Sequence, residues 1–260
     1  MTIAIWSEPS GDWLASAYAF LGHSVLRLPA YATHEALMRG KVEAALLPTL
    51  TVLREPDLYT ISLQVGLVAG AYPFMQFLVR DGLDKIKRVA FDPRYVQEVL
   101  MARILLAEHY QTNAKFLPFV DETHTEVIEK SDTVLWPNNG DAPTATFNLD
   151  LGQEWMDLTA YPTIWAVMAM RKDTMDDEKS EALAAILDRS MPLVKPQNEA
   201  QEDFWQTHFS ARIDDFALAG LTATIETFFH HGVLEELPNV PFYQTLQEQT
   251  ETDTEDEEEE

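Results

Sequence analysis

Apolar residues run along this chain in short blocks separated by turn formers. Ile3 to Trp6 is one such block, followed by Ser7, Pro9, Ser10 and Gly11, then by an apolar pattern from Trp13 to Leu21 that stops at Gly22. This spacing predicts a strand, a loop and a helix. Val25 to Leu28 predicts a second strand, Thr33 to Arg39 a helix stopped by Gly40, and Ala44 to Leu47 a third strand closed by Pro48. Strands alternating with helices predict parallel pairing in an open α/β sheet. Such sheets bind ligands beyond the carboxyl ends of their strands, which singles out the loops Ser7 to Gly11 and Pro48 to Thr51.

Val65 to Val79 is apolar and broken by Gly66, Gly70 and Pro73, which suits a pair of core strands. A polar step, Lys85 to Arg88, leads into Val89-Ala90-Phe91 and a new unit. Asp92 before Pro93 predicts a helix start, because the carboxylate can accept from free backbone N–H groups and proline fits the first turn. Further elements follow over Lys115 to Val120, Thr123 to Lys130 and Thr133 to Trp136. Thr163 to Met170 predicts a buried strand, and Asp177 to Ser190, Asn198 to Phe209 and Phe216 to His231 predict helices. The expectation is an α/β chain in two lobes with a cleft between them. Residues 1–87 and 167–247 form the first lobe and 88–166 the second, with crossings near 86–88 and 162–166. The carboxyl-terminal helices are expected to pack on the lobe made by the first 85 residues.

Composition narrows the partners. In 260 residues, 18 Lys+Arg stand against 43 Asp+Glu, for a formal charge of -25. A nucleic-acid backbone or an anionic membrane would be repelled by such a surface. The segment 248–260 carries nine of the acids and no base, and reads as a disordered acidic tail. There is no cysteine, hence no disulfide, thiolate nucleophile or Cys-ligated metal. The start of the chain is strand-like and lacks signal-peptide features, so a cytoplasmic location is expected.

Nucleotide-binding glycine motifs, H-E-x-x-H and G-x-S-x-G are all absent, and His230-His231 reads as a helix end rather than a metal pair. Longer strings do match something. Ala44-Ala45-Leu46-Leu47-Pro48-Thr49-Leu50, Lys87-Arg88-Val89-Ala90-Phe91-Asp92-Pro93 and Ile104-Leu105-Leu106-Ala107-Glu108-His109-Tyr110 are joined by the most specific one, Leu149-Asp150-Leu151-Gly152-Gln153-Glu154-Trp155-Met156-Asp157-Leu158-Thr159-Ala160-Tyr161-Pro162. Together they resemble the chorismate dehydratase family over roughly residues 3 to 235. The resemblance implies a type II periplasmic-binding-protein-like fold, a place in the futalosine route to menaquinone and a cofactor-free reaction. That reaction removes water from chorismate to give 3-[(1-carboxyvinyl)oxy]benzoate.

The family's loop residues are not retained. Its S-Y-L-N-T loop falls on Trp6-Ser7-Glu8-Pro9-Ser10, its active-site serine stretch on Ala71 to Phe77, and its hydroxyl-rich helix start on Arg94 to Glu98. A diverged binding protein for a small carboxylate, or the related dihydroxynaphthoate-forming enzyme, therefore stands beside the dehydratase. The candidate catalytic residues are Glu8, as a general base, with Ser10 and Gln76. Candidates for holding the ligand are Ser7, Thr49, Tyr72, Arg94, Tyr95, Trp136, Asn138 and Asn139. Arg94 offers a fork for a carboxylate or, failing that, a surface pair with Glu98. Trp155 and Trp165 are expected in the core. No metal or cofactor is expected.

Overall fold

The computed structural model describes residues 1–120, 122, 124–138, 145, 147–188, 194–196 and 198–242. The acidic segment 248–260 and Asn139 lie outside the described residues. The chain starts with β1 (Thr2–Trp6), α1 (Asp12–Phe20), β2 (Ser24–Leu28), α2 (Ala30–Met38), β3 (Ala44–Pro48), α3 (Thr49–Arg54) and β4 (Tyr59–Ala69). There follow β5 (Met75–Val79), β6 (Arg88–Phe91), α4 (Val96–Glu108), β7 (Lys115–Pro118), α5 (His124–Lys130), β8 (Thr133–Pro137), β9 (Phe147–Asp150) and α6 (Leu151–Thr159). The last part holds β10 (Thr163–Arg171), α7 (Asp177–Ala184), α8 (Glu199–Asp203), β11 (Phe209–Arg212) and α9 (Asp215–His230).

Two sheets result. One has the order β11-β4-β10-β3-β1-β2, the other β7-β6-β8-β5-β9. β1 is parallel to β2 and β3, and β6 is parallel to β7 and β8, as helix-linked strands must be. The returning strand β10 is antiparallel to both β3 and β4, and β5 is antiparallel to β8 and β9, so both sheets are mixed. Residues from Thr163 to Met170 are all buried, because this strand lies inside its sheet with both faces covered.

Three sequence expectations need correction here. β5 belongs to the second sheet, so the chain first passes between sheets at 70–74 and not near 86–88. The apolar run from Val65 to Val79 hid this, because a buried strand reads the same in either sheet. The segment after Phe91 is not yet helix: Asp92 accepts from the Arg94 backbone N–H at 2.9 Å and Tyr95 N–H donates to the Asp92 carbonyl at 3.2 Å. These bonds close a turn, and α4 begins only at Val96. Finally, Phe209 to Arg212 is an edge strand against β4 rather than the end of a helix.

The carboxyl-terminal helices divide. α7 packs on β4, while α9 packs across β10 and α6 and reaches α4 through His231, whose Nε2 is 3.2 Å from Glu108 Oε1. The larger apolar cluster reaches both sheets, from Trp6, Leu14 and Leu47 to Phe77, Val89 and Leu105, with Trp155 and Trp165 fully buried in it, and a smaller one gathers Leu78, Ala90, Phe119, Val127 and Val134. Burial of this kind stabilises the fold by about 25 cal/mol per Å² of apolar area. No helix among the described residues is long and apolar enough to cross a membrane.

The string from Leu149 to Pro162 is scaffold. Asp150 caps α6 by accepting from Gln153 N at 2.9 Å and also accepts from Tyr72 N at 2.7 Å, which ties the cap to the crossing segment. Gly152 lets α6 come down onto Gly70 and Tyr72, where a Cβ would lie 2.3 Å from the Gly70 carbonyl oxygen. The Trp155 indole donates to Thr224 Oγ1 at 3.3 Å on α9, and Glu154 accepts from the Tyr110 hydroxyl just past the carboxyl end of α4.

Candidate functional site

The carboxyl ends of β1, β2 and β3 face the turn and helix start that follow β6. Between them lie two adjoining cavities. One, of about 280 Å³, is lined from the first half by Ala30, Tyr31, His34, Leu50, Thr51 and Arg54, and from the second by Arg94, Tyr95, Val96, Gln97 and Glu98. The other, of about 450 Å³, is lined by Ser7, Glu8, Pro9, Asp12 and Pro29 and shares Tyr31, Arg94 and Tyr95 with the first. Together they offer two tyrosine rings, two arginines and several carboxyls, in the size range of small-molecule sites.

Glu98 dominates the electrostatics. It lies on the first turn of α4 and is only 7% exposed. Burial pushes its carboxyl up to about 7; its own backbone N–H eases this, and the charge of Glu8 adds to it. Glu8 sits across from it with both carboxylate oxygens 3.2 Å from Ala30 N, at the start of α2. Burial raises Glu8 as well, against the backbone donors of Glu8 and Ala30 and the nearby Arg27. The buried Tyr72 phenol is raised well above the usual range, first by burial and then by Glu98. Ser10 is close enough to ease that phenol, yet its enclosed Oγ completes no hydrogen bond of normal geometry. Two carboxyls at the walls of adjoining cavities, both raised by burial, can divide acid and base work between them.

The sequence candidates divide into those brought here and those used elsewhere. Ser7, Glu8, Arg94 and Tyr95 line the cavities, and Ser10 and Tyr72 lie behind Glu8 and Glu98. Thr49 is buried and spends its hydroxyl proton on the Ile164 carbonyl at 2.6 Å. Asn138 is buried, donating from Nδ2 to Pro73 O at 3.1 Å and from its backbone to Phe74 O at 2.9 Å. Gln76 pairs in register with Trp136 and Asp150, and Trp136 stacks on Phe119 with centroids 5.9 Å apart. Gln76, Trp136 and Asn138 line neither cavity, although β8 is parallel to β6 and ends on the same side of the second sheet. The Arg94 fork is already held: Nε lies 2.9 Å from both Asp92 oxygens and Nη2 also donates to Asp92, so Glu98 is not its partner.

Sequence reasoning missed Glu98, Gln97, Tyr31 and Arg54 as wall residues. An acid three residues into a helix is ordinarily a solvated first-turn charge. In the fold the start of α4 is joined to α3 and β10 through Gln97, and Glu98 beside it is buried. Phe74, where the family's serine stretch falls, is core: its ring meets Phe204 edge-on at 4.9 Å. No group of three or more metal-ligating side chains occurs among the described residues.

Comparison with known proteins bears on the family and the fold. A family profile described as menaquinone biosynthesis matches residues 19–231. No curated protein matches. Among solved structures, protein AF1704 from Archaeoglobus fulgidus is 16% identical, covering 90% of this chain and 98% of its own, with a TM-score of 0.62. The CA3427 gene product of Candida albicans, described as exhibiting the generic periplasmic binding protein structural fold, is 14% identical over 94% of this chain and 96% of its own, with a TM-score of 0.60. An ABC transporter structure from Parabacteroides distasonis is 9% identical over 94% and 98%, with a TM-score of 0.61. At such identities the likeness is one of fold, and the fold is periplasmic-binding-protein-like.

Proposed function

The chain belongs to the menaquinone biosynthesis family, and on that premise we propose that it binds a small ring-bearing carboxylate between its two halves and removes water from it, with chorismate as the substrate. The observation that carries this reading is Glu98, a buried carboxyl poised near neutrality at the wall of a cavity made by both sheets.

Dehydration of chorismate breaks the C–H bond at the ether-bearing ring carbon and the C–O bond at its hydroxyl-bearing neighbour. The C–H electron pair becomes the third ring double bond. Glu8, as carboxylate, takes the ring proton. Glu98, protonated, gives its proton to the departing hydroxyl, which leaves as water. Transfer of the proton from Glu8 to Glu98 restores both groups. Tyr31 and Tyr95 flank the ring, and Arg54 with the remaining Arg94 Nη1 faces the substrate carboxylates. This reading takes the reaction to be cytoplasmic and free of cofactor.

A second reading is a non-catalytic carboxylate-binding protein. It is favoured by Thr49 and Asn138, whose polar groups are committed to backbone carbonyls instead of to the cavity. Purified protein incubated with chorismate separates the two by the appearance of the aromatic product. The dehydratase reading expects turnover in the wild type and loss of turnover, with binding kept, in Glu98→Gln. Calorimetric binding of chorismate without any product would favour the second reading.

A further inference from the structure

Gln97 precedes Glu98 on the first turn of α4 and is 4% exposed. Both ends of its amide are used, and both partners belong to the other half of the molecule. Its Oε1 accepts from Leu50 N at 2.8 Å, the second residue of α3. Its Nε2 donates to the Trp165 carbonyl at 3.0 Å, on β10. Each partner is a backbone group that regular structure leaves over. A first-turn helix N–H has no intrahelical acceptor. Trp165 sits where the β10 ladder to β4 shifts register, between Ile164 and Ala166, so its carbonyl is freed from the sheet. The neighbouring Ile164 carbonyl, before β10 starts to pair with β3, accepts from Thr49 Oγ1 at 2.6 Å.

Pulling the halves apart would break both bonds at once and leave a buried N–H, a buried C=O and a primary amide to be hydrated. The geometry is that of a ligand wedged between two lobes, supplied here by a side chain of the protein itself.

We propose that Gln97 is a positioning residue, a latch that holds the two halves shut on the cavity through protein groups alone and so fixes the adjacent Glu98 at the cavity wall. Closure is then a property of the chain, and ligand enters a preformed space past Tyr31 and Val96 instead of drawing the halves together. The role toward Glu98 rests on the function proposed above; the latch does not.

The chain has no cysteine, so spin labels can be placed at Lys41→Cys and Lys115→Cys, both exposed and near the amino ends of β3 and β7, away from the cavity. Pulsed electron–electron distance measurement should give one narrow distribution, unchanged by added benzoate. Gln97→Ala should add a longer-distance population that benzoate depletes. Gln97→Met keeps the side chain's length and loses both hydrogen bonds; it should behave as the alanine variant does and reports on the latch if alanine impairs folding. Narrow, unshifted distributions in these variants would overturn the latch, leaving apolar packing as what holds the halves. The Glu98 carboxyl, followed by carbon NMR and assigned with Glu98→Gln, should titrate at about 7 in the wild type and move toward the ordinary carboxylate range in the Gln97 variants as the site hydrates. An unmoved midpoint would overturn the positioning role. Neither readout depends on turnover, so a protein that fails to convert chorismate can still show the latch.

Discussion

The Tyr72 ring lies flat on the Trp165 indole, with centroids 4.0 Å apart and planes 14° apart. Tyr72 belongs to the segment by which the chain leaves the first sheet, and Trp165 to the strand by which it returns. The two passages between halves are therefore stacked on each other directly behind the carboxyls of Glu8 and Glu98. Removing the ring with Tyr72→Ala should cost about 3–5 kcal/mol, as for other buried aromatics. Tyr72→Phe keeps the stack and should stay within about 1.5 kcal/mol of wild type. Urea midpoints of the two variants check this, and equal losses would show that the hydroxyl, and not the stack, carries the contribution.

Glu98 gives stability an unusual pH dependence. Its carboxyl is raised in the folded protein from 4.5 to about 7, so between those values the folded state holds a proton that the unfolded state has released. Stability contributed by this group falls as pH rises through that window and levels off above it, by roughly 3 kcal/mol in all. Below pH 4.5 both states are protonated and the group contributes nothing. Chemical denaturation across pH 4–8.5 should show this decline in the wild type and a flatter profile in Glu98→Gln.

Gly152→Ala tests the close approach of α6 to the crossing. An added Cβ would stand 2.3 Å from the Gly70 carbonyl oxygen and 2.7 Å from Tyr72 Cβ, so α6 must move as a body. A loss of about 1–3 kcal/mol, or more, is expected. Because Asp150 on the same turn also holds Tyr72 N, the near-ultraviolet dichroism of the Tyr72–Trp165 pair should change along with the melting temperature.

Arg94→Ala should weaken the fold as well as the site. Asp92 is 3% exposed and has the Arg94 guanidinium against both carboxylate oxygens. Without it the buried carboxylate keeps only the backbone donor at position 94, at a cost of about 1–3 kcal/mol. Asp92→Asn combined with Arg94→Ala should recover part of that loss, since the amide carries no charge to be left unpaired. A non-additive double-mutant cycle in urea establishes the pairing; additivity would place Arg94 free in solvent.

Much of this protein is written in local pattern. The blocks around Ile3 to Trp6, Ala44 to Leu47 and Thr163 to Met170 are strands because continuous β-branched or apolar runs between turn formers suit a sheet covered on both faces. Asp150 marks a cap that a short acceptor side chain makes, and Gly152 a close approach that leaves no room for a Cβ. The loops after β1 and β3 lie at the cavity because parallel strands present their carboxyl ends to one side. What the sequence left open depended on partners remote in the chain. Met75 to Val79 joins the second sheet because β8 and β9 pair with it, and nothing in its four apolar residues and Gln76 says which sheet they meet. Thr49 and Asn138 read as ligand donors until carbonyls at Ile164 and Pro73 proved to hold them. Glu98 reads as a solvated first-turn acid, yet the folded chain leaves it 7% exposed and burial raises its carboxyl to about 7. Periodicity and turn chemistry act over a few residues and are legible in order along the chain; desolvation is a property of everything that folds around a group, and only the assembled structure decides it.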